Sequence, residues 1–217
     1  VHKGVSYAFG SSADAAILTL GTSGTSLSAD VLAASTTGTL TWTQAVANPG
    51  SDNIAALGLA CSSNALFIAG STHNASTFPG SLVVSPTGNP HDYGYLAKLT
   101  KSAGLTRWVR AFNSPAGHDH DQVGRDLAVD GNGDIVLVGT YDENIQFPDG
   151  TQLSGNSDLQ VFISKFSGGS GILKWAITAP GQGDDQPNGV ALDSAGGVYM
   201  AGSYMKDIQF NTSLRDR

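Results

Sequence analysis

Asp52, Asp121 and Asp184 each stand 18 residues before a glycine: Gly70, Gly139 and Gly202. A carboxylate at one position in successive copies of a repeat can build a ring of hard oxygen donors, the kind Ca2+ takes. The same spacing fits a repeated Asx turn, in which each Asp side chain bonds nearby backbone N–H groups. One copy is richer, reading His118-Asp119-His120-Asp121. Imidazole and carboxylate suit Zn2+ or Cu2+, and two histidines two apart on an extended loop can face one way. Further ligands would have to come from other loops, where His73 and His91-Asp92 lie; solvated loop histidines are the competing reading. Tyr93 and Tyr141 are placed in connecting loops, where an aromatic ring can stack on a sugar.

Other groupings carry less. Asp130-Gly-Asn132-Gly-Asp134 opens like a calcium loop, but its twelfth position is Tyr141 rather than a bidentate Glu. It reads as a hairpin turn. Cys61, the single cysteine, falls in the column of Asp130 and Asp193 and reads as an ordinary replacement there. No Gly-x-Ser-x-Gly elbow and no phosphate loop occurs, and Glu143 is the only Glu, so a Glu dyad is excluded. Asp pairs remain available for glycoside cleavage, as in a hydrolase or lyase with channel-facing Asp.

These residues sit on a repeat. Gly124 to Gly139 reads strand, tight turn, strand; it recurs from Pro187 to Gly202 and from Ala55 to Gly70. Trp42, Trp108 and Trp175 follow at spacings of 66 and 67, each four residues after a glycine (Gly38, Gly104, Gly171). Phe78, Phe147 and Phe210 each lie eight residues past the repeat glycine. A variable loop comes next, then a strand closing on Lys98-Leu99 or Lys165-Phe166. Residues 1–44 fit the frame as a degraded copy. Gly4 to Gly10 stands as its second strand, with Leu18 at the Phe147 position and Gly21 at the Gly150 position.

The expected architecture is all-β: β-propeller blades, four-stranded antiparallel sheets, about three and a third repeats in one domain of residues 1–217. The copies are 1–44 (partial), 45–111, 112–178 and 179–217 (partial). Each sheet has two faces to bury, and neighbours cover them. The Trp and Phe columns fill the space between sheets, and Gly70, Gly139 and Gly202 allow a bulge or close backbone approach. Such a count leaves an incomplete or partner-completed ring, with exposed sheet edges that a second copy or another protein would cover.

Composition agrees. The 217 residues include 28 Gly, only 13% are charged, and the net charge is −7. Short strands with tight turns suit that mixture. With no basic stripe, nucleic acid is excluded as a partner, and no apolar run reaches membrane-span length. No basic segment with an apolar core opens the sequence, so any secretion signal is taken as absent or removed.

Gly-Val-Ala-Leu-Asp-Ser-Ala-Gly-Gly-Val-Tyr-Met-Ala-Gly-Ser203, Phe-Ile-Ser-Lys-Phe166 and Gly-Ile-Leu-Lys-Trp175 together resemble the bacterial SBBP family, the seven-bladed β-propeller repeat. The resemblance spans nearly all of residues 45–217. It implies a secreted, cell-surface or periplasmic protein. The expected function is a non-catalytic protein-binding or scaffolding module, an accessory subunit of a larger assembly among its forms. Carbohydrate binding by a lectin-like propeller is the alternative. No cofactor is expected beyond Ca2+ at the Asp column.

Overall fold

The computed structural model describes residues 6–8, 14–23, 26–35, 37, 39–48, 54–73, 75–85, 92–115 and 120–208, with side chains from Ala29 onward. Among these residues every regular element is a β-strand. Asp52, His91, His118, Asp119, Gly38 and Phe210 lie outside the described residues.

The first sheet holds β1 (Ser6–Ala8), β2 (Asp14–Ser23), β3 (Ser26–Ser35) and β4 (Leu40–Asn48). Next come β5 (Ile54–Cys61), β6 (Ala65–Thr72), β7 (Ser76–Phe78), β8 (Leu82–Val84), β9 (Tyr93–Thr100) and β10 (Thr106–Phe112). Of these, β5-β6-β9-β10 form a four-stranded antiparallel sheet, while the β7-β8 hairpin joins the outer edge of the first sheet beside β4. A second four-stranded sheet follows from β11 (Gln122–Val129), β12 (Ile135–Gln146), β13 (Gln152–Phe166) and β14 (Leu173–Ala179). The last strands are β15 (Gly181–Gln182), β16 (Gln186–Leu192), β17 (Val198–Ser203) and β18 (Asp207–Ile208). Here β16 pairs with β17, and β15 pairs with β18.

The repeat read from sequence has matched geometry. Trp42, Trp108 and Trp175 stand opposite Ala33, Lys98 and Lys165 on the preceding strand, each beside a register shift. Gly70, Gly139 and Gly202 each face a bulge in the partner strand, between Ala56 and Gly58, Gly124 and Asp126, and Pro187 and Gly189. The need for glycine there is steric. An added Cβ would lie 1.8, 2.2 and 2.3 Å from the carbonyl oxygens of Ala55, Val123 and Gln186. Phe78 and Phe147 are buried as the column requires, Phe78 edge-on to Tyr95 and Phe147 among Phe112, Phe162 and Phe166.

Consecutive sheets are joined by three recurring contacts. The first is the tryptophan. Trp42 Nε1 donates to Lys101 O at 2.8 Å and Trp108 Nε1 to Gly169 O at 3.1 Å, each carbonyl lying in a turn of the following sheet. Gly104 and Gly171 lie against those rings with φ of 64° and 70°; a side chain at Gly104 would meet Trp42 at 2.5 Å. The second contact is a hairpin reaching back. Ala47 pairs with Thr77, Asn113 exchanges two backbone hydrogen bonds with Gln146, and Gly181-Gln182 pair with Asp207-Ile208. The third is the acidic column described below. Between the sheets, β5 packs on β11 and β11 on β16. Asp126 Oδ2 accepts the Val190 N–H across that seam at 2.8 Å, and burial raises its carboxyl above the ordinary value.

Two expectations need correction. Leu18 and Gly21 do not form a turn; they lie inside β2, which pairs along its length with β3, while β1 sits at the sheet edge. Phe147-Pro-Asp-Gly150 has turn-forming residues, whereas Leu18-Thr-Leu-Gly21 has a β-branched residue and no proline or aspartate to break the strand. Cys61 is also displaced from the Asp column. It pairs with Leu66 as Val129 pairs with Ile135, because the β5-β6 turn is one residue shorter. Ser62 takes the turn position, its Oγ accepting the Ala65 N–H.

Candidate functional site

The Asp column is built into the frame. Asp121 Oδ1 accepts the Asp92 N–H at 3.1 Å, and Asp184 Oδ1 accepts the Leu159 N–H at 3.2 Å. Each carboxylate precedes the first strand of one sheet and holds the third strand of the sheet before. The carboxylates therefore serve backbone amides across a seam. Among the described residues, no three His, Cys, Asp or Glu side chains converge to hold a metal ion.

His120 is turned onto the outer half of β12. Its Nε2 lies 2.9 Å from Glu143 Oε2 and its Nδ1 3.4 Å from Asp142 Oδ2. Burial pushes the Asp142 carboxyl up, against the opposing pull of His120. His73 Nδ1 lies 3.1 Å from Asp92 Oδ1.

Tyr93 and Tyr141, which the sequence places on loops, are buried in strands. The reason is that the strands run further than the turn signals suggest. Tyr141 continues β12 past Gly139, and its hydroxyl meets Thr178 Oγ1 at 2.7 Å. Tyr93 opens β9, with its hydroxyl donating to Val84 O; burial pushes that phenol up to about 12. Neither ring offers a face to a sugar. The loops around residues 71–92 and 140–158 likewise contain the β7-β8 hairpin and the extensions of β12 and β13.

Exposed apolar side chains gather on the last sheet. Val198 is 37% exposed and Tyr199 62%, whereas the equivalent residues Leu66, Phe67, Ile135 and Val136 are 2% exposed or less. Tyr204 and Met205 are exposed beside them. In the two four-stranded sheets, β9 pairs with β6 and β13 with β12. Among the described residues no strand pairs with the outer edge of β17.

The turn of this sheet carries a carboxylate with three hydrogen-bond donors. Asp193 Oδ1 accepts the Ala195 and Gly197 N–H groups, both at 2.8 Å, and Oδ2 accepts the Tyr199 hydroxyl at 2.9 Å. These bonds, that from Gly197 first, hold its carboxyl below the ordinary range. The preceding repeat keeps the first pair of bonds, with Asp130 Oδ1 accepting Asn132 and Asp134 N–H. There Oδ2 instead meets Lys165 Nζ at 2.8 Å, from the covering strand.

Sequence reading passed over Asp193, Val198 and Tyr199 as a site. The usable signal was the pairing of Asp130 with the lysine closing the third strand. The misplacement of Cys61 in the Asp column obscured it. No protein-family model matches the chain, and no curated protein matches it.

Proposed function

We propose that the chain is a run of propeller-type blades of the SBBP kind, acting as a non-catalytic scaffold outside the cytoplasm that binds protein. One observation carries the reading. Successive sheets are joined by recurring Trp, Asp and hairpin contacts, so each sheet is built to pack against a neighbour. In the 217-residue chain Val198 and Tyr199 are exposed where two other repeats bury the equivalent residues, and apolar area removed from water is worth about 25 cal/mol per Å2, so this chain is expected to associate when purified.

Sedimentation of the purified chain over a hundredfold concentration range tests this. The wild type is expected to exceed the monomer mass at the upper concentrations or to retain a co-purifying protein. The double variant V198E/Y204E is expected to run as a monomer with unchanged circular dichroism. A wild type that stays monomeric and alone throughout contradicts the proposal.

A further inference from the structure

One enclosed position changes its chemistry between successive copies of the repeat. In residues 112–178 it is Gln122, which is 1% exposed. Its Nε2 donates to Ser114 Oγ at 2.8 Å, to His120 O at 2.7 Å and to Asn144 O at 3.3 Å. An amide nitrogen thus sits among three oxygens. In the next copy the residue after the column aspartate is Asp185, and Asp207 stands where Asn144 does. A carboxylate has no hydrogen to donate there. Its Oδ1 accepts the Met205 N–H at 3.1 Å. Its Oδ2, on a fully buried residue, has no hydrogen-bond partner among the described residues. That oxygen and the Asp207 carbonyl oxygen converge, lying 2.4 and 2.2 Å from where a Gly181 Cβ would be. The counterparts of Ser114, His120 and Asn144, which are Gly181, Gly183 and Asp207, all lie among the described residues.

Three further carboxylates stand around Asp185. Asp158 Oδ2 accepts the Gly183 N–H at 2.8 Å, Asp184 Oδ1 the Leu159 N–H at 3.2 Å, and Asp207 Oδ1 the Gln182 N–H at 3.1 Å. Each is tied to main chain through one oxygen, which leaves the other to face a ligand. Burial raises the Asp185 carboxyl most, and the charges of Asp207, Asp184 and Asp158 raise it further. Among the described residues no lysine or arginine pairs with any of the four. Of the four, only Asp184 belongs to the repeated column. The counterparts of Asp158, Asp185 and Asp207 one copy earlier are His91, Gln122 and Asn144. The seam is therefore built there without these three acids.

We propose that Asp185, with Asp158, Asp184 and Asp207 around it, binds a calcium ion that does here what the Gln122 amide nitrogen does one copy earlier. Ca2+ suits the set because it accepts carboxylate and carbonyl oxygens in irregular arrangements, whereas Mg2+ demands a near-octahedral shell. No three of the side chains meet at one point, so main-chain oxygen and water complete the shell. The affinity is accordingly weak, about 10−4 to 10−3 M, the range of extracellular modules. Binding offsets the enclosed charge of Asp185 and fastens the paired β15 and β18, whose residues Gln182 and Asp207 are already hydrogen-bonded.

Calorimetric titration of the EDTA-treated, dialysed whole chain with CaCl2 at pH 7, with thermal unfolding in parallel, tests this. One site in that affinity range is expected. Calcium at about ten times its dissociation constant is expected to raise the melting temperature by about 3–5 °C. In EDTA, Asp185→Asn is expected to melt above the wild type; in calcium that advantage disappears, because the variant gains nothing from the ion. Asp207→Asn, on the exposed rim, is expected to weaken binding about tenfold and keeps the test decisive should Asp185→Asn fail to fold. Asp149→Asn, in an exposed turn outside the cluster, is expected to bind as the wild type does. The proposal is overturned by any of three results. These are no heat and no shift up to about 10 mM calcium, well above the expected range, a shift matched by NaCl of equal ionic strength, or an undiminished response in Asp185→Asn or Asp207→Asn.

Discussion

Two carboxylates report on this molecule from opposite directions. Partial burial raises Asp130, but Lys165 and the Asp134 and Asn132 amides outweigh it and hold the group below its ordinary 3.8. A carboxyl with a depressed folded pKa contributes stability above its unfolded value and loses it as pH falls through the folded one. Asp130→Asn is therefore expected to lower stability at pH 7 by about 1–3 kcal/mol. The gap between the two unfolding curves should close on acidification below 3.8. A gap independent of pH would contradict the role of the Lys165 pair. Asp185 is the reverse case. It is fully buried, Oδ1 accepts the Met205 N–H, and Oδ2 has no hydrogen-bond partner among the described residues. Burial raises its pKa, with Asp207, Asp184 and Asp158 adding to the effect. Its charge destabilises the fold above the raised pKa, and the penalty fades as acid protonates it. Asp185→Asn is expected to raise the melting temperature at pH 7 by about 2–4 °C, as about 1 kcal/mol would, and by less near pH 4. A loss at pH 7 would show that the carboxylate has a partner only the charged form can keep. Neither residue was legible as special in the sequence. Asp130 read as a turn, which it is, and nothing in a string of letters shows that Asp185 is enclosed.

Elements explain why the Asp column looked like a site. A repeated acidic residue at the mouth of a connection is what a metal ring would need, and also what a cross-seam amide acceptor needs. Two members of the column meet the second need: Asp92 and Leu159 present N–H groups to Asp121 and Asp184 at 3.1 and 3.2 Å. The Trp and Gly columns were readable because their roles are steric. A bulge that brings a carbonyl within 1.8–2.3 Å of a Cβ site admits only glycine. The buried Tyr93 and Tyr141 were misread for a different reason. Strand length past a glycine depends on what the other strand does, and that is a tertiary property. At this scale Trp108 gives the clearest prediction. It is 8% exposed, contacts the Phe67 ring and bonds the next sheet through Gly169. Trp108→Ala is expected to cost about 3–5 kcal/mol in denaturant unfolding, and Trp108→Phe distinctly less. Equal costs would mean that the hydrogen bond, rather than packing, carries the seam.

For the whole molecule, stability is expected to be graded along the chain. A sheet with neighbours on both faces exposes its amides only on large-scale unfolding, while a sheet with one face bare opens locally. The apolar clusters follow that order. The largest joins the two four-stranded sheets, from Phe67, Trp108 and Phe112 through Tyr141 and Phe147 to Phe166. The smallest among the described residues, centred on Val136, Val138 and Ile163, is where Val190, Leu192 and Met200 of the last sheet pack on the sheet before. The all-β class and four-stranded antiparallel sheets were legible because turn chemistry and period are local. The uncovered edge was not, because exposure depends on what lies beside a strand.

Hydrogen exchange resolved by peptide tests that grading most directly. Residues 65–72 and 135–142 are expected to exchange together at the rate of global unfolding, and residues 198–203 at least a hundredfold faster. Uniform protection across all three stretches would contradict the account, since it would mean that the last sheet is as fully covered as the two before it.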